Sequence, residues 1–159
     1  APTQKWFDSR IVKILRESKF KNVLMESESK KIGKVTLCKS FWDTMTDGKH
    51  ILVNSSAQNR VIRLVKDYTK YNTKDDEYLK KSTVRLKDTI GTKAVEDLIT
   101  KIENKDYEYV AHFLILNYYD KLYSYSIDKY EYDMSVSSDE VDLAVSKILE
   151  YYDNAEKEI

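Results

Sequence analysis

At 159 residues, with 42% apolar and 34% charged side chains, the chain is long enough for one ordinary domain and too apolar to be disordered. Its 27 basic and 27 acidic residues cancel, which excludes a global electrostatic pull toward nucleic acid or membrane and makes any polyanion site local. The single cysteine, Cys38, excludes an intrachain disulfide framework and a cysteine-based zinc site. No apolar run approaches the ~18 residues of a transmembrane helix, and the first residues lack a secretory leader's apolar stretch. A cytoplasmic protein in a reducing compartment is the expectation.

The predicted elements follow in chain order. Thr3 caps a helix over residues 4–18, with Trp6, Phe7, Ile11, Ile14 and Leu15 at helical spacing. Asn22 to Met25 read as a short buried strand. Residues 30–39 read as a basic connection carrying Lys30, Lys31, Lys34 and Lys39. Ser40 reads as the cap of a short helix holding Phe41, Trp42 and Met45, broken at Asp47-Gly48. His50 to Val53 is apolar enough for a buried parallel strand. Ser55 or Ser56 then caps a strong helix with Val61, Ile62, Leu64, Val65 and Tyr68 on its apolar side. Residues 74–88, 92–103 and 106–119 read as helices, with Gly91 and Lys105-Asp106 as separators. Residues 121–133, with Tyr123, Tyr125, Ile127, Tyr130 and Tyr132, alternate as a strand or hairpin does. Ser137 to Glu140 open a last amphipathic helix over 139–158.

The fold class that follows is α/β. Residues 1–71 alternate helix and strand, which predicts a parallel sheet with flanking helices. Residues 72–159 form a mostly helical half with a short tyrosine-rich strand or hairpin near 121–133.

The densest chemistry lies in "MESESKKIG", residues 25–33. Open α/β sheets bind ligands beyond the carboxyl ends of their strands, and this stretch follows the first expected strand. Carboxylates there can coordinate magnesium or take protons, and lysines can neutralise phosphate. A solvated turn explains the same residues equally well. Arg60, Arg63 and Lys66 form a basic stripe at three-residue spacing, usually a solvated face. His50 and His112 have no cysteine or histidine partner at ligand spacing, so no metal site is expected.

Five segments in order, "QKWFDSRIVKIL", "VLMESESKKIGKVTL", "FWDTMTDGKHILV", "AQNRVIRLVKDY" and "AHFLILNYYDKLYSY", resemble the carboxyl-terminal portion of tRNA 2-selenouridine synthase. The resemblance runs from about Pro2 to Tyr125. It implies a tRNA-modifying transferase of rhodanese and P-loop domains, which exchanges sulfur for selenium at a wobble 2-thiouridine through a geranylated intermediate. Selenophosphate and geranyl diphosphate are the implied substrates of the complete enzyme; no cofactor is implied in this chain. Glu26, Glu28, Ser29, Lys30 and Lys31, then Arg60, then Tyr119, Asp120 and Tyr123 become the expected substrate or tRNA-binding residues.

Two departures from the family pattern shape the expectation. No G-x-x-x-x-G-K-[ST] phosphate loop is present, and Cys38 matches no catalytic cysteine of a rhodanese domain. Catalytic residues are therefore not assigned. The chain is expected to be inactive alone, and to work with a partner chain or further domain carrying those parts. The resemblance makes residues 1–71 an incomplete P-loop-like parallel sheet with flanking helices and no phosphate loop, which implies self-association or a partner that completes it. The competing reading is a non-catalytic binding or assembly module.

Overall fold

The computed structural model describes residues 2–19, 22–27, 29–70 and 76–155. The chain folds as two units, residues 1–50 and 51–159. Among the described residues no helix is long and apolar enough to cross a membrane.

In the first unit, helix α1 spans Gln4–Glu17, and the Thr3 side chain accepts a hydrogen bond from the Trp6 N–H, as the sequence predicts. A hairpin of β1, Lys31–Ile32, and β2, Val35–Thr36, follows. Its two-residue loop needs a positive φ at the first position. Gly33 supplies it at φ 59°. The Gln4 amide pairs with β2 like a strand, donating to the Thr36 carbonyl (2.8 Å) and accepting from the Thr36 N–H (2.9 Å). Val35 and Leu37 are buried here. Helix α2, Lys39–Thr46, starts behind Cys38. The cap expected at Ser40 is therefore corrected: Ser40 lies inside the helix.

The buried strand expected at Asn22–Met25 is also corrected. The segment is not a strand, and Val23, Leu24 and Met25 are 53%, 63% and 44% exposed. A three-residue apolar run is too short to specify a strand without a ladder partner, and no described strand pairs with it. Pairing occurs instead inside the expected basic connection, where Gly33 allows the chain to reverse.

In the second unit, β3 (Ile51–Asn54) pairs in parallel with β4 (Met134–Ser137), Ile51 opposite Met134 and Asn54 opposite Ser137. The α/β class with a parallel pair thus stands, but the pair joins the two ends of this unit. Nor is β3 buried throughout: Val53 is 53% exposed, because two strands leave surface uncovered.

Helix α3, Ala57–Lys70, begins where the Ser56 hydroxyl accepts from the Asn59 N–H (3.2 Å). Then come α4 (Asp76–Val84), the short α5 (Lys87–Ile90), and α6 (Thr92–Glu103), the last with the predicted bounds. Leu98 and Ile102 of α6 have 0% exposure and join Val110 in the larger core cluster. Helix α7 (Tyr107–Leu114) continues through a π-helical turn (Ile115–Tyr119) into α8 (Asp120–Ile127). The strand or hairpin expected over 121–133 is therefore corrected to a helix followed by loop and β4. Tyrosine favours strands only weakly, and here helical continuity overrides it. Helix α9, Val141–Ala155, closes the described chain.

Candidate functional site

The site residues expected from sequence fall into one group in each unit. In the first, Glu28 lies outside the described residues. Glu26, Ser29 and Lys31 are exposed, and Lys30 is half-buried. The Ser29 hydroxyl accepts from the Lys31 N–H (3.1 Å), and the Lys30 carbonyl accepts from the Leu37 N–H (2.9 Å). These residues form the entry to the hairpin and not the end of a buried strand. Among the described residues no cluster of three metal-binding side chains occurs.

In the second group, Arg60 on α3 and Asp120 at the start of α8 meet in a two-pronged ion pair. Arg60 Nη1 lies 2.6 Å from Asp120 Oδ1, and Nη2 lies 2.9 Å from Oδ2. The side chains keep 36% and 39% of their exposure, so the pair is neither sealed nor freely solvated. The hydrogen bonds to Arg60 hold the Asp120 carboxyl below the usual carboxylate range, against partial burial. The Asp120 carboxylate in turn raises the guanidinium. The pairing uses one N–H from each Nη, and a guanidinium has five N–H donors, so outward donors remain on the fork. Arg60 Nε is buried without a hydrogen-bond partner among the described residues.

Tyr118, Tyr119 and Tyr123 lie close to Asp120 along the chain. Tyr118 and Tyr119 meet edge to face at 5.0 Å, and Tyr119 stacks near-parallel on Tyr123, 6.4 Å apart and 12° from coplanar. Tyr119 is 44% exposed. The four-residue spacing of Tyr119 and Tyr123 on one helix produces that stack. Chemically, the segment offers a fixed guanidinium at Arg60 and, one residue from its Asp120 partner, an accessible aromatic face at Tyr119, groups that suit a phosphate and an unpaired base.

A further polar cluster lies at the carboxyl ends of β3 and β4. The Asp139 carboxylate accepts from the Ser55 hydroxyl (2.7 Å) and the Ser56 N–H (2.8 Å), capping α3 from across the sheet. Those bonds, with help from Asn59, pull its pKa down to about 2. Arg63 donates to the carbonyls of Ser138 and Asp139 and to the Ser138 hydroxyl. Ser138 returns bonds to the Asn54 carbonyl through its N–H (2.7 Å) and hydroxyl (3.0 Å). Arg63 is thus engaged by the β4–α9 junction and does not stand free on a solvated stripe. Sequence reasoning treated Ser138 and Asp139 only as a helix start; their partners lie about 80 residues away, beyond any local pattern.

The geometry defines a helix-rich α/β protein with a guanidinium–carboxylate pair, Arg60–Asp120, and a stacked tyrosine pair on the helical stretch that carries Asp120. The family model described as "tRNA 2-selenouridine synthase AAA domain" matches residues 1–157, and the chain belongs to that family. A curated relative, the tRNA 2-selenouridine synthase of Hydrogenovibrio crunogenus (strain DSM 25203 / XCL-2), is 24% identical over 126 residues. That match covers 68% of this chain and 35% of the relative, so the chain spans about a third of its length. No solved structure matches.

Proposed function

We propose that this chain supplies part of the tRNA-binding surface of an enzyme that forms 2-selenouridine in tRNA. The observation that carries the reading is the family match over residues 1–157. The Arg60–Asp120 pair, and the stacked Tyr119 and Tyr123 on the helical stretch that carries Asp120, give it a physical basis. In this reading Asp120 fixes the guanidinium, whose outward donors meet a backbone phosphate. Tyr119 and Tyr123 form the platform for a base near the wobble position. Lys30 and Lys31, with Glu26, Glu28 and Ser29, contribute to binding tRNA or a diphosphate substrate from the other unit.

The complete enzyme would exchange sulfur for selenium at a wobble 2-thiouridine through a geranylated intermediate, using selenophosphate and geranyl diphosphate. The phosphate loop and rhodanese chemistry would come from a further domain or partner chain. Replacing Lys30 and Lys31 together by alanine should weaken tRNA binding at least several-fold and leave the unfolding temperature unchanged. Unaltered binding removes the lysines from the site.

One observation favours the second reading, an assembly module. Val141, Val145 and Leu149 repeat at four-residue spacing on α9 and are 53%, 50% and 57% exposed. An apolar stripe of that kind suits a protein contact. Sedimentation separates the readings: a stable oligomer or captured catalytic chain with no tRNA affinity supports assembly alone.

A further inference from the structure

We infer that the π-turn Ile115–Tyr119 is the register device that brings Asp120 to Arg60. The inference rests on the functional reading above only where it speaks of tRNA.

The α7 face that meets α3 is set by Ala111 and Ile115, four residues apart, which are buried together with Val61. Val61 is the neighbour of Arg60 in sequence. The residue that reaches Arg60 from α7–α8 is Asp120, five residues beyond Ile115. In an unbroken α-helix, at 3.6 residues per turn, residues five apart point about 140° away from each other. Ile115 could then pack on α3, or Asp120 could reach it, but not both.

The π-turn removes the conflict. The Asp120 N–H bonds to the Ile115 carbonyl five residues back, so the two stand one above the other. The turn absorbs one residue more than an α-turn, and the helix resumes with Asp120 brought round toward Arg60. Leu116 and Asn117, on the outside of the turn, are exposed. The Asn117 side-chain amide donates to the Phe113 carbonyl (3.1 Å), giving that acceptor a partner at the edge of the widened turn. The Asn117 side chain thus bonds within its own turn and is not needed at Arg60.

The test uses opposite expectations for a deletion. In an ordinary helix, deleting one residue rotates everything downstream by about 100° and Asp120 leaves Arg60. In a π-turn, deleting Asn117 leaves a regular α-turn, with Asp120 four residues after Ile115 and still facing α3. The readout is the NMR titration of the Asp120 side-chain carboxyl in the 159-residue chain, together with tRNA affinity.

Deletion of Asn117 should leave Asp120 titrating below the ordinary carboxylate range and tRNA affinity within about twofold. Insertion of one alanine between Tyr119 and Asp120 should return Asp120 to its ordinary range and lower affinity at least tenfold. Ordinary titration in the deletion variant overturns the inference. A second deletion, of Leu116, guards against a local folding defect; loss of the folded state in both also overturns it, since a helix made regular has no cause to unfold. Absence of tRNA affinity in the unaltered chain defeats the functional reading and leaves the Asp120 titration to judge the register.

Discussion

Arg60 and Asp120, 60 residues apart in sequence, close a two-pronged ion pair that fastens α3 to the start of α8. Half-exposed pairs of this kind lie between surface pairs, worth about 0.2–1 kcal/mol, and hydrogen bonds to charged groups, worth about 1.5–3 kcal/mol. A double-mutant cycle of Arg60→Ala and Asp120→Ala should return a coupling of about 1 kcal/mol in denaturant unfolding. Arg60→Lys should lose most of it, because a point ammonium cannot reproduce the fork. A coupling indistinguishable from zero would show that the pair does not hold the helices.

Asp139 gives a pH dependence whose sign follows from its partners. Ser55, Ser56 and Asn59 depress its folded pKa to about 2, from an ordinary 3.8. The folded state then prefers the charged form. Its contribution is fully present above pH ~4 and is lost as pH falls toward ~2. Asp139→Asn should flatten the stability curve in that window and leave the curve's shape above pH 5 unchanged. An unaltered acid limb would mean the carboxylate does not cap α3.

Lys105 holds the one positive φ outside glycine among the described residues, at 60°. It follows Asn104, which ends α6. The Asp106 N–H bonds back to the Lys101 carbonyl and the Lys105 N–H to that of Ile102. Glycine usually fills this position, because a Cβ in that conformation costs about 1 kcal/mol. Lys105 also pairs with Asp76, an ion pair that Lys105→Gly would remove. Asp76 keeps the Tyr107 hydroxyl at 2.7 Å. Lys105→Gly should raise the unfolding temperature by about 1–3 °C. A drop would show that the ion pair outweighs the backbone strain.

The helices were the legible part of this fold. Residues 4–18 and 92–103 carry helical periodicity with clear stops, and α1 and α6 formed there. The short strands were less legible. Val23-Leu24-Met25 has no alternation to assign a face, and its pairing depends on a ladder partner that local sequence does not reveal. The tyrosines misled for a different reason. Tyr119 and Tyr123 fit a helix and Tyr123 and Tyr125 fit a strand, while the π-turn shifts the helical phase just before them. Arg60 and Asp120 stood out separately through family resemblance. Their direct contact, and the bonds from Asp139 to Ser55 and Ser56, depend on tertiary register that no local pattern carries.

The central claim, a tRNA-contacting surface on this chain, is tested most directly by binding the isolated chain to a tRNA containing 2-thiouridine at 50 and 200 mM salt. The account predicts measurable binding whose logarithm falls steeply with the logarithm of salt, because lysine and arginine contacts displace counterions from phosphates. It further predicts that Tyr119→Ala with Tyr123→Ala lowers affinity at both salt concentrations without changing that slope. Absence of binding at the lower salt, with the chain folded, would contradict the account and leave the assembly reading in its place.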